Sequence, residues 1–167
     1  ITGVNPVTVV VWNNTLTGAS VVPGSGSSIS LSFNVTLSDV DAGAEINFTS
    51  VVANFSRIGE ALRSTVSYCP NTTGVFELYF MNFTCTIEMW YFDDDLTWNI
   101  TAGGKDKGNQ TYIWNTSTTF SYGTVSSFDL SPSLVLFGSV SQGNTNKTAT
   151  NDPSLLNNSG NVEFNNV

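Results

Sequence analysis

Residues 28–37 read SISLSFNVTL, and this stretch decides the fold. Ile29, Leu31, Phe33, Val35 and Leu37 alternate with Ser30, Ser32, Asn34 and Thr36. A period of two sends one set of side chains to an apolar interior and the other to water, which is the signature of a half-buried strand. The same character recurs along the chain. Residues 7–12 (VTVVVW), 46–55, 63–68, 75–80, 83–92, 97–102 and 110–120 are rich in β-branched and aromatic residues, with Gly, Asn, Asp and Ser clusters between them. Only residues 57–63 (RIGEALR) have helical flavour, and they are few and interrupted by Gly59. Eight short strands in this rhythm predict an all-β, antiparallel β-sandwich.

Both ends of the chain depart from that rhythm. Residues 6–12 are apolar at every position except Thr8, so a strand there asks for burial on both faces, whereas an outer strand alternates. A Gly/Ser-rich joint follows at residues 24–28. An apolar strand on a tether suits β-strand addition between subunits, with Val7, Val9, Val10, Val11 and Trp12 as the donor residues. The alternative is the first strand of the chain's own sandwich. At the other end, residues 129–133 (DLSPS) read as a joint, and 134–140 (LVLFGSV), 146–150 and 160–164 begin a new β pattern too small to bury both faces of a sheet. The expected division is an N-terminal strand and tether over 1–27, a sandwich over 28–130 and a partial second module over 131–167.

The chain of 167 residues is long enough for one good core. Its residues are 40% hydrophobic and 11% charged, against about 25% charged in an ordinary soluble domain. Ser, Thr and Asn, numbering 21, 21 and 19, replace charge on the surface. A net charge of −8 with five Lys plus Arg leaves no basic patch for phosphates, so nucleic acid is excluded as a partner and an anionic membrane surface is disfavoured. No apolar run approaches the ~18 residues that span a bilayer. The start at Ile1, with no basic and apolar leader, is expected of a mature secreted N-terminus.

The acceptor motif N-x-[ST] occurs at Asn13, Asn34, Asn47, Asn54, Asn71, Asn82, Asn99, Asn109, Asn115, Asn146 and Asn157, which is 11 of 19 asparagines. With Ser and Thr at a quarter of all positions, chance gives roughly five such motifs, so the excess points to N-linked glycans on a secreted chain. The plainer account is that an Asn- and Thr-rich β protein makes such motifs by accident. Cys69 and Cys85 are the only cysteines, and without His they cannot build an ordinary structural zinc site. A disulfide is the simplest account, a pair of buried free thiols the alternative. Closing that loop is worth about 3 kcal/mol in the chain-entropy model.

Two stretches carry a family likeness. Residues 85–102 (CTIEMWYFDDDLTWNITA), together with 32–57 (SFNVTLSDVDAGAEINFTSVVANFSR), resemble the Ig-like repeats of large Asn- and Thr-rich surface glycoproteins of archaea. In those repeats a strand of the type C-x-[VI]-x-M-W-Y leads through an acidic turn to a T-W strand. Residues 131–161 look like the opening of a further module of the same proteins. The resemblance implies an Ig-like sandwich, secretion and a structural or adhesive role, and it carries no catalytic residues. Here Asp93, Asp94 and Asp95 replace the usual Gly or Pro before the T-W strand. Trp98 is expected to pack against the core at that corner.

Chemistry has few candidates. The absence of His removes the commonest general base and the Ser triad partner, so the chain is not expected to be an enzyme. No cofactor is implied except a structural calcium ion at Asp93, Asp94 and Asp95, or at the second acidic turn of Asp39, Asp41 and Glu45, with solvated acidic turns as the alternative. The segment GGKDKGN, with Lys105, Asp106 and Lys107, reads as a hairpin tip. Trp12, Trp90, Tyr91, Phe92, Trp98, Tyr112 and Trp114 are either a sugar platform or core. The function expected is a structural subunit of an extracellular, glycosylated filament, pilus- or thread-like, built of identical subunits by β-strand complementation. The alternative is a monomeric adhesin, carbohydrate-binding or S-layer module.

Overall fold

The structure is a computed structural model, and it describes residues 5–12, 16, 21–72, 79–108 and 111–164. Its strands are β1 (Thr8–Trp12), β2 (Ser28–Ser38), β3 (Ile46–Ser56), β4 (Arg63–Ser64), β5 (Phe80–Trp90), β6 (Thr97–Asp106), β7 (Ile113–Ser121), β8 (Phe128–Ser131) and β9 (Leu155–Asn158). One sheet has the order β1-β2-β5 and the facing sheet β4-β3-β6-β7, all antiparallel. Strands β8 and β9 pair as a small third sheet. The molecule is therefore an all-β sandwich. Residues 57–62 are turn and coil, and the helical flavour of RIGEALR comes to nothing because Gly59 takes φ 90°.

Alternation in the sequence becomes the core directly. Leu31, Phe33, Val35 and Leu37 of β2 and Met81, Phe83, Cys85, Ile87 and Met89 of β5 face inward. They meet Ala53 and Phe55 of β3, Trp98 and Ile100 of β6, and Phe120 of β7. Phe55 is the pivot between the sheets, its ring 5.5 Å from Phe33 and 4.6 Å from Phe120. Trp98 is fully buried and donates from Nε1 to the carbonyl of Asp94 at 3.0 Å, which satisfies its one polar atom as burial requires. Cys69 and Cys85 form the disulfide, with Cα atoms 4.6 Å apart, and tie residues 65–72 to β5.

Strand β6 runs four residues past the expected end at Ala102. Gly103 and Gly104 read as turn residues, yet they continue the ladder because the backbone passes too close to its neighbours for a side chain. A Cβ on Gly103 would lie 2.5 Å from the Trp114 ring, and one on Gly104 would overlap Leu37. Lys105 and Asp106 are thus strand residues rather than a hairpin tip. Opposite them β3 bulges between Asn47 and Val52. The buried Ser50 hydroxyl fills the break, donating to the Asn47 carbonyl at 2.6 Å and accepting from the Lys105 amide at 2.9 Å.

Strand β1 alternates instead of being buried on both faces. Val7, Val9 and Val11 enter the core, while Thr8, Val10 and Trp12 face out. Within the chain it takes the edge of its own sheet, in register from Thr8 opposite Ser38 to Trp12 opposite Asn34. The C-terminal readings change as well. Residues 134–140 and 146–150 form no strand, and neither do the described residues of 160–164. The expected joint at 129–133 falls largely inside β8, which straddles the boundary drawn at residue 130. Asn161 clamps this region to the sandwich, donating to the carbonyls of Asp93 and Gly123 at 3.1 and 3.0 Å and accepting from the Val125 amide at 2.7 Å.

Candidate functional site

Nine of the eleven motif asparagines lie among the described residues, and Asn13 and Asn109 lie outside them. None of the nine asparagines is buried. Asn71, Asn99, Asn146 and Asn157 are exposed, and Asn34, Asn47, Asn54, Asn82 and Asn115 are half-buried. A strand explains this, because the Asn and the Ser or Thr of N-x-[ST] are two residues apart and share the outer face while the middle residue turns inward. Val35, Phe55, Phe83 and Ile100 are such middle residues, and all four are fully buried.

Four of the motifs are paired head to tail. Across the β2–β5 ladder Asn34 faces Thr84 and Thr36 faces Asn82. Across the β3–β6 ladder Asn54 faces Thr101 and Ser56 faces Asn99. Each of the two sheets of the sandwich therefore carries two reciprocal motifs on its outer face. In the first pair the hydroxyls reach across, Thr84 to Oδ1 of Asn34 at 2.9 Å and Thr36 to Oδ1 of Asn82 at 2.6 Å.

Asn34, Thr36 and Asn82 of the first pair line a shallow groove with Val10, Trp12 and Phe80. Trp12 is 52% exposed and Phe80 39% exposed. The Trp12 indole N–H donates to Thr36 Oγ1 at 3.0 Å, which holds the ring across the strands. At one flank Asn115 of β7 donates from Nδ2 to the Val9 carbonyl at 2.7 Å, so part of the outer edge of β1 is already capped from the facing sheet.

The acidic turn is divided among protein partners. Buried Asp93 accepts two bonds from Arg63 Nε, at 2.9 and 3.1 Å, and one from the Trp90 amide at 2.6 Å. Asp94 pairs with Arg57 at 2.8 Å, and Asp95 accepts from the Thr124 hydroxyl. The three carboxylates do not converge, and among the described residues no group of three or more Asp, Glu, His or Cys is placed to hold a metal. In the second turn Asp39 is buried, its Oδ1 accepting from the Asp41 amide at 2.8 Å and its Oδ2 without a partner. Burial, above all, raises the Asp39 carboxyl above the ordinary Asp range; the hydrogen bond from the Asp41 amide opposes the rise, and the neighbouring Asp106 carboxyl adds to it.

The aromatic set is scattered. Trp98 is core, Trp90 and Phe92 stack on the surface with centroids 5.9 Å apart, and Tyr112 stacks on Trp114 at 5.1 Å with the Lys105 ammonium over Tyr112. Exposed apolar side chains are dense in the C-terminal part of the sequence. Phe128, Leu130, Leu134, Leu136, Phe137 and Leu155 are among ten large apolar side chains exposed from residue 128 onward.

No family model, curated protein or solved structure matches this chain.

Sequence reading missed Phe80 as a groove residue and Asp39–Asp106 as a buried acidic pair. The signal for Phe80 was present in F-M-N-F-T, since a strand puts its first, third and fifth residues on one face. Asp106 gave none, because its burial depends on β6 continuing through two glycines.

Proposed function

We propose that the chain is a structural subunit of an extracellular, N-glycosylated filament, pilus- or thread-like, in which identical copies join by β-strand complementation. The observation that carries this reading is the number of large apolar side chains exposed from residue 128 onward. Monomeric soluble proteins rarely leave so many large apolar side chains in one region exposed, and such surfaces mark interfaces. The likeness to archaeal surface glycoproteins, the disulfide and the abundance of outward-facing acceptor motifs support secretion to the cell surface. The strand order supports the Ig-like reading, since β1-β2-β5 and β4-β3-β6-β7 correspond to strands A-B-E and C′-C-F-G of that fold.

Strand β1 is suited to exchange. It is an edge strand of its sheet, paired on one side with β2. Replacing it with the β1 of a neighbour would reproduce its pairing with β2, the domain-swapping route to head-to-tail assembly. The stacked, exposed Trp90 and Phe92 favour a second reading as a monomeric adhesin or carbohydrate-binding module.

A disulfide trap tests strand exchange. Thr8 and Ser38 are direct partners across the β1–β2 ladder, roughly 4.5–5.5 Å apart at Cα, within reach of a disulfide. With Thr8→Cys and Ser38→Cys in one chain, oxidation of assembled protein gives a covalent ladder on a non-reducing gel. Assemblies that oxidise only to cross-linked monomers refute the exchange.

A further inference from the structure

We propose that the groove on the outer face of the β1-β2-β5 sheet is the seat of two N-linked glycans, one on Asn82 lying over Phe80 and one on Asn34 lying over Trp12. The inference rests on the reading of the chain as a secreted glycoprotein and selects two of its eleven acceptor motifs.

The placement comes from the ladder. Phe80 stands two residues before Asn82 on β5, hence roughly 6.6 Å away on the same face. Trp12 stands directly opposite Asn34 on the neighbouring strand. A sugar linked to Asn82 starts on the same strand face as Phe80, and one linked to Asn34 starts opposite the residue that carries the Trp12 ring. No other pair has this arrangement: the residue two before Asn54 is Val52, and that before Asn99 is Thr97.

The hydrogen bonds fix the orientation. Thr36 Oγ1 accepts the Trp12 indole proton and donates its own to Oδ1 of Asn82. That turns Nδ2 of Asn82 away from Thr36. Thr84 does the same for Asn34. The two exposed rings lie among hydroxyls and amides, an apolar patch with a polar rim. A pyranose matches it, with a C–H face for the ring and hydroxyls for the rim.

Attachment is a glycosyl transfer to the extended chain before β2 and β5 pair. The asparagine amide nitrogen bonds to C1 of the first sugar of a lipid-phosphate-linked oligosaccharide. The bond from C1 to the phosphate oxygen breaks, the lipid phosphate leaves with the electron pair, and the nitrogen gives up one proton to the transferase base. No oxidant or reductant is needed.

Glycopeptide mass spectrometry of protein secreted by a glycosylating host tests the sites, and thermal melting tests the seat. The expected result is sugar on both Asn34 and Asn82 in most molecules. Phe80→Ala, which keeps every acceptor motif, should then lower the melting temperature of the glycosylated protein about 2–4 °C further than it lowers that of the Asn82→Gln variant. Sugar on other motifs with Asn34 and Asn82 bare overturns this inference and leaves the glycoprotein reading intact. Equal melting losses in the two backgrounds overturn the stacking. No sugar on any of the eleven motifs overturns both.

Discussion

Thr36 donates a 2.6 Å hydrogen bond to Oδ1 of Asn82 across the β2–β5 ladder. The same hydroxyl accepts from Trp12, so one side chain joins three strands of the outer face. Thr36→Val keeps the shape and loses both bonds. In protein made without glycosylation it is expected to cost about 1–2 kcal/mol at roughly 1 kcal/mol per bond, while Thr36→Ser stays near wild type. Urea unfolding of the two variants checks this.

The Arg63–Asp93 contact is a buried carboxylate satisfied by the protein. Asp93→Ala strands the guanidinium beside the core and is expected to cost about 3–5 kcal/mol. Because the carboxylates of the acidic turn are already partnered, chelation with EDTA is expected to leave the melting temperature unchanged. A clear fall on chelation would place a calcium ion in the fold and reverse this account of the turn.

Asp39 predicts a pH dependence with a definite sign. Its carboxyl is raised above the ordinary value of 3.8 by burial above all and by Asp106, against the opposing hydrogen bond from the Asp41 amide, so the folded state holds a proton that the unfolded state releases. The stability tied to that proton is fully present below pH 3.8 and is lost as pH rises through the raised value. Asp106→Asn removes one negative charge. Relative to this variant, wild-type protein is expected to lose melting temperature as pH climbs from 3.8 towards neutrality. Parallel melting curves of the two proteins against pH would contradict the pairing.

The disulfide closes a loop of 16 residues between two buried sulfurs. Reduction, or Cys69→Ala with Cys85→Ala, is expected to lower stability by about 3 kcal/mol. Guanidinium unfolding with and without reductant measures it, and the sandwich should persist, since Phe33, Phe55 and Trp98 fill the core independently of the bond.

The sandwich was legible because β2 and β5 alternate strictly, and a period of two is a local property of the chain. The disulfide followed from there being two cysteines and no histidine. What stayed hidden depends on neighbours distant in sequence. Gly103 and Gly104 look like a turn until Leu37 and Trp114 are seen against them. Val10 and Trp12 look like core until they emerge in the outer groove. Residues 134–140 look like a strand, yet Asn151 holds them in a loop, donating to the Leu134 carbonyl at 2.6 Å and accepting from the Leu136 amide at 2.9 Å. The eleven acceptor motifs were visible one by one, but the reciprocal pairing of four of them is a matter of register, which no single strand specifies.

The central claim is that this chain is a polymerising extracellular subunit. Negative-stain electron microscopy of the native secreted material tests it most directly. Regular filaments of uniform width are the predicted result; isolated particles or flat lattices would contradict it.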